Sequence, residues 1–134
     1  MREIEFRGYN RKNKQWLYGF YLKNRGAHFV CPDEFANGKS WEDYEIDPDS
    51  LGQFTGLYDK NHHKIYEGDI VSNGWSELHY IRYSDGKWDV VDKWGNWLEL
   101  LEFAHTDDCN NVIREIEVVG NMHDNPEMIH PSNP

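Results

Sequence analysis

Apolar and polar positions alternate along this chain in short runs, and a period of two marks half-buried strands rather than helices. Ile4 and Phe6 face one way while Glu3, Glu5 and Arg7 face the other. The polar turn Asn10-Arg11-Lys12-Asn13-Lys14 leads into Trp16-Leu17-Tyr18-Gly19-Phe20-Tyr21-Leu22, so the two runs predict a hairpin. Residues 27–31 predict a third strand, stopped by Pro32. A fourth is expected over 51–58, followed by the turn Asp59-Lys60-Asn61-His62. Glu67-Gly68-Asp69 then breaks the chain between Ile65-Tyr66 and Ile70-Val71. Residues 77–83 and 87–93 flank Ser84-Asp85-Gly86, whose Asp-Gly pair is strong hairpin chemistry. A last strand is expected over 112–119.

Helical spacing is scarce. Trp97, Leu100, Leu101 and Ala104 fall at i, i+3, i+4 and i+7 and predict one short helix, with a strand as the alternative. Asn125-Pro126-Glu127 combines a capping side chain, a first-position proline and an acid, which predicts a closing helical turn. Residues 33–50 hold seven acidic side chains and no sustained period. They predict an irregular loop with one short strand over 44–46. Many short strands separated by frequent turns indicate a mainly β barrel or sandwich. At 134 residues a single domain is expected. It divides into a basic hairpin region (1–26), an acidic loop (33–50) and a barrel-like core (51–129).

Composition sharpens this picture. Fourteen Lys and Arg stand against twenty-four Asp and Glu, a formal charge of -10, yet 15% of residues are aromatic. Acidic disordered chains are poor in aromatics, so a folded globule is expected. The charge is uneven: through Gly26 it sums to +5, and the remainder carries -15. Three destinations are open to the basic arm: nucleic-acid phosphate, the acidic surface of another subunit, or solvent. Phosphate binding is handicapped because the acidic body repels the same polyanion. Self-association suffers no such penalty. The candidate binding residues are Arg2, Arg7, Arg11, Lys12 and Lys14, with Trp94 beside Gly95 as the tryptophan expected to be exposed. Trp75, Trp88, Trp94 and Trp97 together offer stacking platforms for bases or a groove for a peptide, but the set reads first as core, with Trp88 on a strand face beside Val90 and Trp97 on the helical stripe. The opening residues lack an apolar leader and no run spans a bilayer, so a cytoplasmic protein without membrane contact is expected.

Catalytic chemistry is thin. Asp59, His62, His63, Glu67 and Asp69 have the donor types of a divalent metal site. Adjacent strand histidines point to opposite faces, so the cluster reads first as a polar turn. Metal-assisted hydrolysis through His62 and His63 is the enzymatic alternative. His105-Thr106-Asp107-Asp108-Cys109 reads as a loop, and His123-Asp124 as turn residues. Cys31 lacks a basic neighbour, and Cys109 follows two acids that disfavour its thiolate. No Walker, Rossmann or Gly-x-Ser-x-Gly pattern occurs. No catalytic residue, metal or cofactor is expected.

Three stretches together resemble the YopX family of small phage and prophage proteins. These are residues 1–7, the central Gly52-Gln53-Phe54-Thr55-Gly56-Leu57-Tyr58-Asp59-Lys60-Asn61 continued by Lys64-Ile65-Tyr66-Glu67-Gly68-Asp69-Ile70-Val71, and Glu117-Val118-Val119-Gly120-Asn121 with Asn125-Pro126-Glu127. The chain departs at His62-His63, where the family commonly places a glycine; histidine tolerates positive φ better than most residues. The resemblance implies an antiparallel, SH3-like barrel, a phage or prophage setting in the host bacterial cytoplasm, and oligomeric subunits. It supplies no catalytic residues. The expected function is non-enzymatic protein binding, by self-association or to a phage or host protein. The alternative is an SH3-like nucleic-acid-binding module using the basic hairpin.

Overall fold

The computed structural model describes residues 3–34, 37–74, 77–100, 106–107 and 112–131. It divides into two compact units, Met1–Phe54 and Thr55–Pro134. Strands β1 (Phe6–Asn10), β2 (Gln15–Asn24) and β3 (Ala27–Cys31) open the first unit. β4 (Gly52–Tyr58) begins there and continues into the second. β1 and β2 pair antiparallel from Phe6↔Gly19 to Asn10↔Gln15, the hairpin that the alternation predicts. β2 continues to β3 through Phe20↔Cys31 to Asn24↔Ala27, and β1 pairs on its other edge with Gly52 and Gln53. Residues 33–34 and 37–50 are irregular, with 3-10 turns at Trp41–Asp43 and Pro48–Ser50. The strand expected over 44–46 reduces to one bridge, Glu45 to Phe29. Val30, Cys31, Tyr44, Ile46 and Phe54 are buried.

The second unit continues through β5 (Lys64–Tyr66), β6 (Asp69–Ser72), β7 (His79–Ser84), β8 (Lys87–Val91) and β9 (Trp97–Glu99). It closes with β10 (Thr106–Asp107), β11 (Val112–Ile113) and β12 (Glu117–Asn121). A five-stranded antiparallel sheet has the order β12-β6-β7-β8-β9. β5 and β11 pair with β4, the latter in parallel, and β10 pairs with β11. The core is Ile65, Val71, Ile81, Val90, Leu100, Ile113 and Ile116, with Leu57, Trp88 and Val118 packed against it. The fold is therefore mainly β with two antiparallel-rich sheets. Among the described residues neither strand path returns to its first strand, so the expected closed barrel is replaced by open sheets.

Local departures have physical causes. Trp97 stands in β9 opposite Val91 and is 54% exposed, not on a buried helical stripe; Leu101 and Ala104 lie outside the described residues. The strand expected over 112–119 is interrupted by a turn at the charged pair Arg114-Glu115. The closing turn forms at Pro126–Met128, but the Asn125 side chain accepts from Asn121 N instead of capping it. Asp85 and Gly86 both adopt positive φ, as their hairpin requires, and His62 takes φ 65°.

Candidate protein-binding face

The β1–β2 turn does not stand alone in solvent. Asn10, at the end of β1, is buried, and its amide donates to the carbonyls of Glu42 (3.1 Å) and Glu45 (2.7 Å). Asp47 N donates to Tyr9 O at 2.9 Å, and Tyr9 N donates to Ser50 Oγ at 2.7 Å. Charges follow this backbone lacing. Arg11 meets Asp47 at 2.7 Å, and Lys12 meets Asp43 at 3.1 Å and Glu42 at 3.6 Å. A cavity of about 350 Å³ lies among Asn10, Arg11, Lys12, Glu42 and Asp47. Arg11 and Lys12 are more than half exposed and so screened by water, whereas Asn10 is buried, so its neutral bonds are the firmer tether.

The Asp43 carboxyl is held well below the usual carboxylate range. The Ser40 backbone N–H is the largest cause, followed by the Asn13 side chain and Lys12. A depressed carboxyl stabilises the fold above its unfolded value near ~4 and loses that contribution as pH falls towards the folded value. The Ser40 and Asn13 amide signals are therefore expected to hold still through the ordinary carboxylate range near ~4 and to move only well below it. In Asp43→Asn that transition should vanish, and NMR titration of both proteins checks it.

The other candidates are dispersed. Arg7 is 7% exposed with its guanidinium 4.8 Å over the Trp16 ring. Lys14 occupies the hairpin turn at φ 54°, and Arg2 lies outside the described residues. Trp94, in the second unit, is 64% exposed with Lys93 Nζ 4.7 Å over its ring. The turn carrying it is folded by Asp92 Oδ1, which accepts from Trp94 N and Asn96 N. Thus Arg11 and Lys12 converge on the acidic segment, whereas Trp94 belongs to the second unit.

The alternation singled out no particular face of β2, and the structure does. Tyr18, Phe20 and Leu22 project on one side at successive i+2 positions and are 49%, 48% and 36% exposed. Trp41, also exposed, adds an edge contact to Phe29, which pairs with Leu22 across the strands. On the opposite side, Gly8 lies against Ile46, and Tyr21 meets Phe6 and hydrogen-bonds His28. Exposed apolar groups scattered singly are ordinary, but three at successive i+2 positions along one strand are not.

The ligand-like cluster around residues 59–69 is occupied by turn chemistry. Asp59 is fully buried; its Oδ1 accepts from Asn61 N and His63 N, and its Oδ2 from Val118 N. Asp69 accepts from Tyr66 N at 2.7 Å. His62 and His63 are exposed. Among the described residues no group of three or more His, Cys, Asp or Glu is placed to share an ion. Cys31 is buried, which pushes its thiol up; His105, Asp108 and Cys109 lie outside the described residues. Among the described residues no helix is long and apolar enough to cross a membrane.

A family model described as YopX protein matches residues 5–130. The chain belongs to the YopX family. Its central signature runs along β4, β5 and β6, with Gly56 and Gly68 in left-handed conformation at φ 86° and 89°. The YopX-family chain is similar to the crystal structure of protein EF1440 from Enterococcus faecalis, at 24% identity and a TM-score of 0.55. That likeness covers 96% of this chain and 99% of the other, and it concerns the fold. No curated protein matches the sequence.

Proposed function

We propose that this YopX-family protein is a non-enzymatic accessory protein of a phage or prophage that acts by binding protein in the host cytoplasm. Its first partner is a second copy of itself. The row Tyr18, Phe20, Leu22 carries this reading, because its apolar side chains lie exposed along one strand. Charge supports a self-contact here. Residues 1–54 hold eight basic and nine acidic side chains, whereas 55–134 hold six and fifteen. Two copies meeting through the nearly neutral unit avoid the repulsion that the acidic one would impose. The nucleic-acid alternative is weakened because Arg11 and Lys12 already face Asp47, Asp43 and Glu42.

Size-exclusion chromatography with light scattering is expected to give a multimer that persists at high salt, since apolar contacts are not screened. Tyr18→Ser with Phe20→Ser should yield a monomer with an unchanged circular dichroism spectrum. A wild-type monomer at every concentration sinks the reading. Retention of DNA or RNA at low salt, lost on reversing Arg11 and Lys12, would install the alternative.

A further inference from the structure

The face of β7, β8 and β9 turned away from Ile81 and Val90 carries a second feature, distinct from the β2 row. Register places Arg82 opposite Asp89 and Asp89 opposite Glu99. A cleft of about 120 Å³ lies there, lined by Arg82, Ser84, Asp85, Lys87, Asp89 and Trp97. Asp89 is only 3% exposed, and its Oδ2 accepts from Arg82 Nη2 at 3.1 Å. Lys87 is committed outward to Glu99 at 2.8 Å. Two buried atoms of the ion pair make no hydrogen bond, the donor Arg82 Nε and the acceptor Asp89 Oδ1. A buried polar atom left unbonded has lost its water without a replacement, so a guest satisfying both is favoured.

We propose that this cleft binds a carboxamide, the side chain of glutamine or asparagine, stacked on the Trp97 indole. The amide oxygen accepts from Arg82 Nε and the amide N–H donates to Asp89 Oδ1. The Arg82 side chain is 37% exposed, so its head can turn to admit the guest. Other chemistries fit less well. A carboxylate meets Asp89 as a like charge, within a unit already at fifteen acids to six bases. A guanidinium or ammonium satisfies Asp89 but leaves Nε unbonded beside a second cation. A hydroxyl can donate and accept but offers no plane to the indole. An amide supplies both bonds and a flat face.

The test is an NMR titration of the full chain with N-acetylglutamine N-methylamide, reading the Trp97 indole and Arg82 Nε signals. So small a ligand is expected to bind saturably at about millimolar concentration. The matching blocked glutamate and arginine should bind at least about tenfold more weakly. Trp97→Ala, which removes a half-exposed ring, should keep the fold and weaken binding by about fivefold. Free glutamine separates the sources: equal binding points to a free amide, and weaker binding to a side chain on a protein partner. No saturable shift, an equal response to all three blocked residues, or unchanged binding by Trp97→Ala overturns the proposal.

Discussion

Gly19→Ala is expected to unfold the first unit. A Cβ at this position would sit 1.9 Å from the Cys31 carbonyl oxygen and 2.6 Å from its carbon, both backbone atoms. No rotamer change relieves such a collision. β2 must separate from β3, and the pairing from Phe20↔Cys31 to Asn24↔Ala27 goes with it. Overpacking in a closed site costs about 1–3 kcal/mol, and a backbone clash lies at the top of that range or above. Hydrogen exchange should show β2 and β3 amides losing protection while β7 and β8, in the other unit, keep theirs. Wild-type protection throughout would show that the approach is not obligatory. Gly8 is a milder case, because its contact is the Ile46 side chain at 2.5 Å.

Asp59→Ala should be the most damaging single substitution in the second unit. The buried carboxylate gathers three backbone N–H groups, from Asn61, His63 and Val118. It thereby fastens the 59–63 turn to β12, fifty-nine residues further along the chain. Removing it strands three donors, two of them near solvent, so the loss is expected at about 3 kcal/mol. Asp59→Asn should recover little. Its amide oxygen can serve one pair of donors, but its NH2 then opposes a remaining backbone N–H. A urea midpoint close to wild type for either variant would contradict this account.

Much of the architecture is legible in the sequence where local chemistry dictates it. Asp85-Gly86 marks a turn because both residues accept positive φ, and Pro126 opens a turn because its φ is already set. Legibility ends where the deciding contact is distant. Both faces of β2 are rich in large apolar residues, so alternation alone cannot say which one is covered; Ile46 against Gly8 decides it. Charge counting places the basic hairpin against an acidic body. The two are in fact laced together within residues 1–54, through contacts thirty or more positions apart. The Trp97 pattern rests on four positions, too few to separate a helical stripe from a strand end. The Arg82–Asp89 cleft arises from three-strand register, which no local motif records.

Asn10 has one more consequence. It grips carbonyl oxygens, not carboxylates, so the clasp recognises the course of the main chain and is indifferent to the decoration it bears. The outward side chains of that segment are thereby released from holding its shape. They can be rewritten to suit a different neighbour while the fastening beneath stays shut.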